Sequence, residues 1–233
     1  QRRKKISYFL PYLSCVLLLV SGIMLFCAAK IPGFADGEMR LDAPEETDAV
    51  RAMEALSAKY ESLQGFYPRP KKLIVSEILS YQSLTGIYAP FTVEANYNGD
   101  MQPYNIPFTE CHELSHLRGF MQEEEANFIG FLACVNADDT AFNYSGYLLG
   151  WIYATNELYE ADYDTFEEIY NRLSDNVKAD LSANSSFWKR YDSKVAEVSG
   201  QINDHYLKAN GQSDGIKSYD RMVDLMITWF RSK

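Results

Sequence analysis

Apolar positions are distributed unevenly along this chain, and the longest unbroken set lies near its start. Ile6 to Ala29 carries no charged residue and follows Arg2, Arg3, Lys4 and Lys5. As a helix these 24 residues rise about 36 Å, enough to cross a bilayer with tilt. The basic cluster is expected to stay in the cytoplasm, which places everything after Lys30 outside. A cleaved signal peptide is the rival reading, because Phe26-Cys27-Ala28-Ala29 offers small residues near the apolar end. Lipidation fits less well, since Phe26 is bulky where a small residue normally precedes a lipidated cysteine. From Ile31 to Glu46, Pro32, Gly33, Gly37 and Pro44 among several charges read as a linker.

The period then becomes helical. Val50, Met53, Leu56 and Tyr60 form one stripe and predict a helix over Asp48–Leu63. From Lys72 to Tyr97 the texture changes. Leu73-Ile74-Val75, Gly86-Ile87-Tyr88 and Phe91-Thr92-Val93 are β-branched or aromatic runs broken by Pro and Gly, which predicts two or three short strands. Beyond Asn136 helices are expected near Tyr147–Tyr159, Tyr163–Leu173, Asn176–Ser182, Phe187–Leu207 and Tyr219–Arg231, with Asn210-Gly211 and Asp214-Gly215 marking a loop. The pattern predicts a predominantly helical α+β fold with a small sheet packed on a helical body. Three parts follow: a basic tip and transmembrane anchor at 1–30, a linker at 31–46, and a single domain at 47–233.

Between the strands and the later helices lies His112-Glu113-Leu114-Ser115-His116. On a helix, residues i and i+4 share a face, so both imidazoles can reach one metal ion while Glu113 points at a water bound to it. The chain holds three histidines in all, and two of them fall in this motif. Two histidines satisfied by ordinary hydrogen bonds are the bland alternative. A catalytic zinc takes three protein ligands, so a third should lie near. Gly119 can end the motif helix, and Gln122-Glu123-Glu124-Glu125-Ala126-Asn127 can begin an antiparallel one. Glu123 is the preferred ligand, because Asn127 follows it at i+4 and can hold the carboxylate from the same face. In this it resembles the third-ligand Glu of thermolysin-like enzymes. Glu124 or Glu125 fits a solvated acidic first turn. Ala126, Gly130 and Ala133 or Cys134 recur at helical spacing, so the second helix can approach the first closely.

Composition adds limits. The 233 residues, 47% of them hydrophobic, allow one ordinary domain with a core and exclude disorder. The first residue is Gln, and the chain reads as a piece of a longer protein. Removing the four basic tip residues from 22 leaves 18 Lys+Arg against 32 Asp+Glu, a balance of −14 for the rest. Such a surface repels nucleic acid and anionic lipid heads, so no nucleic-acid partner is expected. Cys15 and Cys27 fall in the apolar span, while Cys111 and Cys134 sit one on each arm of the proposed hairpin, as a disulfide or as two buried thiols.

From about Tyr67 to its end the chain resembles domain-of-unknown-function family 3810. The resemblance is carried by Ser80-Tyr81, Thr85-Gly86-Ile87-Tyr88, Pro90-Phe91-Thr92, Glu94-Ala95-Asn96 and Pro107-Phe108-Thr109 leading into Cys111-His112-Glu113-Leu114. It continues through His116, Arg118-Gly119-Phe120, Glu123, Glu125-Ala126-Asn127-Phe128 and Tyr144-Ser145-Gly146-Tyr147, and closes with Asn203-Asp204, Tyr206 to Gly211 and Met222 to Leu225. It implies a bacterial protein with a membrane-spanning N-terminus and a zinc-peptidase-like domain, and supplies no substrate. Members usually carry more membrane spans and a longer segment before the Tyr67 region, which one span and a short linker replace here.

The expected function is therefore that of a zincin-like metallopeptidase held at the bacterial cell membrane by one span, with its catalytic domain extracytoplasmic. Zn2+ on His112, His116 and Glu123 activates a water, Glu113 takes its proton, and a peptide or protein substrate is hydrolysed. An edge strand between Ile87 and Asn96, presenting Ile87, Tyr88, Phe91, Thr92, Glu94 and Asn96, would pair with an extended substrate, unless this is a plain sheet. Oxyanion stabilisation is expected from Tyr206, Tyr219, Arg221 or His205. The alternatives are a non-catalytic, membrane-tethered module binding a peptide or envelope protein, and a structural metal site that fastens the hairpin. A retained Glu113 argues against the first, since a structural site needs no general base.

Overall fold

The computed structural model describes residues 2–31, 38–39, 48–209 and 221–232, without the side chains of residues 2–12, 203 and 205–209. The α+β expectation holds: among the described residues helices dominate, with one three-stranded sheet. In chain order the elements are α1 (Arg2–Ala28), α2 (Asp48–Ser57), β1 (Lys71–Lys72), α3 (Ser76–Tyr81), β2 (Gly86–Ala89), β3 (Glu94–Tyr97), α4 (Asn105–His116), α5 (Glu123–Val135), α6 (Thr140–Ala161), α7 (Tyr163–Asn171), α8 (Asp175–Tyr191), α9 (Lys194–Ala209) and α10 (Arg221–Arg231).

Helix α5 lies between α4 and α6, and small residues set its distance from both. A Cβ on Gly130 would stand 3.3 Å from the His112 backbone nitrogen, so α5 passes directly over the motif helix. On α6, a Cβ on Gly146 would come 2.7 Å from Cys134 Cβ, and one on Gly150 would come 3.0 Å from the Phe131 ring. The expected small stripe is thus buried as expected, at Ala126, Gly130, Ala133 and Cys134. Leu114, Phe131, Met53 and Met226 fill the core between α2, α4, α5 and α10. The Cys111 and Cys134 thiols are free, fully buried and hydrogen-bonded to each other.

Helix α1 packs along α6 through Leu13, Leu17, Val20 and Met24, while Leu19 and Phe26 stay exposed. The segment Ile6–Ala29 is helical to Ala28, but the side chains of its first seven residues lie outside the described residues. Among the described residues no helix is long and apolar enough to cross a membrane. The loop expected at Asn210-Gly211 and Asp214-Gly215 also lies outside them, as does most of the linker.

Several boundaries differ from expectation. Helix α2 stops at Ser57, and a 3-10 turn, Glu61–Leu63, follows. Its buried face is Ala49, Ala52, Met53 and Leu56, because the two alanines allow the closest approach to α4 and α5, and Tyr60 is left exposed. Leu73–Val75 is no strand: β1 covers only Lys71 and Lys72, and the chain turns into α3. Phe91–Val93 forms the hairpin turn after Pro90, with Val93 at φ +57°, a backbone unfit for a strand. The expected helices Asn176–Ser182 and Phe187–Leu207 are divided differently, α8 running through to Tyr191 and α9 starting at Lys194.

Sheet order is β1-β3-β2, with β1 parallel and β2 antiparallel to the central β3. Among the described residues, the strand with an unpaired edge beside α4 is therefore β2.

Candidate metal centre

Helix α4 presents its motif from a fixed start. Pro107 sits in the first turn, where no intrahelical donor is needed. Ser145 on α6 accepts the Phe108 N–H at 3.1 Å and donates to the Tyr104 carbonyl, closing that turn from outside. The helix ends as expected: the Gly119 N–H bonds the His116 carbonyl at 2.9 Å, and Gly119 takes φ +88°, which reverses the chain into α5.

The reversal brings Glu123, in the first turn of α5, against His112 and His116. One ligand atom from each lies within 4.8 Å of the others. The two Nε2 atoms are 3.1 Å apart, and the Glu123 carboxylate stands 3.3 Å from that of His112 and 3.9 Å from that of His116. His116 Nδ1 donates to the Phe120 carbonyl at 2.8 Å, leaving the Nε2 lone pair toward the other two groups. His112 Nδ1 is buried without a partner, and so is Asn127 Nδ2. The two side chains are within reach of each other. Turning the Asn127 amide by 180°, a choice hydrogen-bond networks decide, would place Oδ1 on Nδ1–H and free His112 Nε2 as a ligand. Two imidazole nitrogens and a carboxylate, each oriented from behind, are a donor set suited to a divalent ion of the zinc type. His112, His116 and Glu123 could hold such an ion.

Burial weakens the charged form of His112, but the hydrogen bond and charge of Glu123 outweigh it and raise its affinity for a proton. Burial and the neighbouring His112 push His116 down to about 4. Glu113, buried beside His112, is pushed up to about 7 by burial, against the pull of His112. Its carboxylate accepts the Tyr88 backbone N–H, so β2 and α4 meet at this side chain. A Cβ on Gly86 would stand 2.6 Å from Glu113 Oε1 and 2.7 Å from Thr109 Cγ2.

These groups lie in a cleft of about 750 Å³ whose opposite walls are β2 with the preceding loop and α6 with Leu149, Tyr153 and Asn156; Ser199 and Gly200 of α9 border it. The Tyr88 ring centroid is 6.2 Å from that of His116. Of the expected edge-strand residues, Ile87 and Tyr88 lie on β2. Glu94 and Asn96 belong to β3, which is paired on both sides, and Phe91 and Thr92 to the turn; they offer no free edge. Among the expected oxyanion donors, Arg221 pairs with Glu124 at 2.9 Å. Tyr219 and the side chains of His205 and Tyr206 lie outside the described residues. Sequence reasoning passed over Gly86, Thr109, Ser145 and Tyr153. The spacing of Gly146, Gly150 and Tyr153 on one helix stripe was the signal available for the last.

A family model described as a protein of unknown function (DUF3810) matches residues 35–227. No curated protein and no solved structure matches the chain.

Proposed function

We propose that this chain, which belongs to the DUF3810 family, is a zinc-dependent peptidase that hydrolyses peptide bonds in extended chains. The convergence of His112, His116 and Glu123 on one point, with the Glu113 carboxylate beside it in an open cleft, is the observation that carries this reading. A zincin-like catalytic domain is the fold that goes with it.

Zn2+ at this point would make a nucleophile of water near neutral pH and polarise a carbonyl. Glu113 takes the proton from the attacking water and returns it to the departing amine, a task for which a carboxylate 4.0 Å from His112 Nε2 is in range. The β2 edge turned away from β3 holds the substrate backbone by strand addition, through the backbone groups of Gly86 and the carbonyl of Tyr88. Because the Tyr88 N–H is given to Glu113, substrate pairing and the position of the base are set by one strand. Attachment to a membrane through Ile6–Ala29, with the domain extracytoplasmic, rests on the sequence alone and requires α1 to leave its packing on α6, where Leu13, Leu17, Val20 and Met24 are buried; alkaline extraction and protease accessibility of the native protein test it.

The decisive experiment is zinc stoichiometry with peptide-library cleavage, run beside Glu113→Gln and Glu123→Ala. One zinc per chain, cleavage lost in both variants, and zinc retained in Glu113→Gln support the peptidase. Zinc bound by a wild type that cleaves nothing supports a peptide-binding module, and a chain that takes up no stoichiometric metal ends the proposal.

A further inference from the structure

The three helices that build the metal centre bring one more reactive side chain to it. Along α6, Gly146 faces Cys134 and Val135, and Gly150, one turn on, faces Phe131. Helices α5 and α6 therefore run antiparallel in a defined register. Tyr153 lies three residues beyond Gly150 on the same stripe, which sets it against the turn of α5 that carries Glu123 and Asn127. Two further observations agree with that register. Its ring centroid is 6.3 Å from that of Phe108, one turn before His112 on α4. The charge of Glu123 reaches its phenol. Tyr153 lines the same cleft as the motif, and its hydroxyl has no hydrogen-bond partner among the described residues.

We infer that the Tyr153 hydroxyl is the donor that stabilises the oxyanion of peptide hydrolysis, an inference that rests on the peptidase reading above. Water oxygen bonds to the scissile carbonyl carbon, and its proton passes to Glu113. The carbonyl π pair moves onto oxygen, where the phenol O–H of Tyr153 meets the new charge. Collapse reforms the carbonyl, breaks the C–N bond and sends the proton from Glu113 to the amine. A phenol hydroxyl already placed in the cleft and engaged by no other group among the described residues costs little reorganisation when the charge appears, which is the condition for a donor that favours the transition state over the substrate.

The test uses the zinc-loaded full chain and two ligands: a capped dipeptide phosphonate, whose tetrahedral oxygens imitate the oxyanion, and acetohydroxamate, which only chelates. Tyr153→Phe is expected to weaken phosphonate binding by about 10- to 100-fold, the loss of one hydrogen bond to a charged group. Zinc stoichiometry and acetohydroxamate affinity stay within twofold, and kcat falls roughly 10²-fold with KM unchanged. Unchanged phosphonate binding, an equal loss for both ligands, or a loss in Tyr88→Phe in place of Tyr153→Phe overturns the assignment. A wild type that shows the Tyr153-dependent phosphonate preference but cleaves no library peptide keeps Tyr153 as a donor to a tetrahedral anion in this cleft and ends the peptidase reading, its role in hydrolysis included. A wild type that binds neither zinc nor either ligand ends both.

Discussion

Replacing Gly86 by Ala probes the closest contact in the site, where β2 lies on α4. The added Cβ would stand 2.6 Å from Glu113 Oε1, 2.7 Å from Thr109 Cγ2 and 2.9 Å from the Asn96 carbonyl oxygen. Each is closer than van der Waals contact, the first by about 0.8 Å. Glu113 is buried and tied to the Tyr88 N–H, and Asn96 is backbone, so neither yields freely. Strand β2 must lift by nearly 1 Å, an overpacking that costs roughly 1–3 kcal/mol. The smaller entropy of an unfolded Ala returns about 0.4–1 kcal/mol, for a net loss near 1–2 kcal/mol. The same shift moves Glu113, the proposed base, and a displacement of about 1 Å can lower the rate of a positioned reaction by roughly 10²-fold. Urea denaturation gives the first quantity, and kcat/KM on a library-derived peptide the second. The control is Gly200→Ala, at the rim of the same cleft on α9, where an added Cβ meets nothing within 4 Å. It is expected to leave rate unchanged and to raise helix stability by about 0.5–1 kcal/mol. A Gly86→Ala protein as stable and as active as the wild type would refute the contact between strand and base.

Other expectations follow from the same geometry. Glu123→Ala should abolish stoichiometric zinc binding and with it the rise in melting temperature that 100-fold excess zinc over its Kd gives the wild type, about 2.7 kcal/mol by mass action; an unchanged zinc-dependent shift would remove Glu123 from the ligand set. Asn127→Leu should weaken zinc 10- to 100-fold, roughly the cost of losing a group that orients a ligand, whereas Asn127→Asp, which keeps an acceptor for His112 Nδ1–H, should stay near wild type in a competition titration. Ser145→Ala strips the first turn of α4 of its outside partner and should cost about 1–2 kcal/mol by urea melting, with zinc affinity falling as the motif helix frays. Asp180 gives a pH signature. It accepts from the Tyr144 hydroxyl at 2.6 Å and from the Met39 N–H at 2.9 Å, and burial pushes its pKa up to about 6 from 3.8. The folded state then holds a proton that the unfolded chain has released, so this term is most favourable below about pH 3.8. It weakens as pH climbs to about 6, a loss on the order of 3 kcal/mol at neutrality. Asp180→Asn should flatten that segment of the stability profile, and an unchanged slope would assign it to other groups.

The sequence by itself determined whatever depends on residue type and near spacing. The i, i+4 imidazoles with their neighbouring carboxylate, the Gly119 reversal and the small stripe of α5 are all local, because 3.6 residues per turn fixes which side chains share a face. That is why the hairpin, its three converging ligand atoms and the predominantly helical fold were legible before any coordinates. The strands were legible only in part. Runs such as Leu73–Val75 and Phe91–Val93 have strand composition but lie in a connecting bend and a turn, since short strands depend on which partner supplies the ladder. Strand order, too, was decided by tertiary structure: β3 took the centre and left β2 as the edge. The same holds for Asn127, within reach of His112 across the hairpin; for Arg221, drawn to Glu124; and for Tyr153, thirty residues past Glu123 in sequence and brought to it by two glycine contacts between helices. Those placements rest on interhelical distance and register, which are set by how closely backbones approach and by what fills the space between them, and no local spacing rule carries that information.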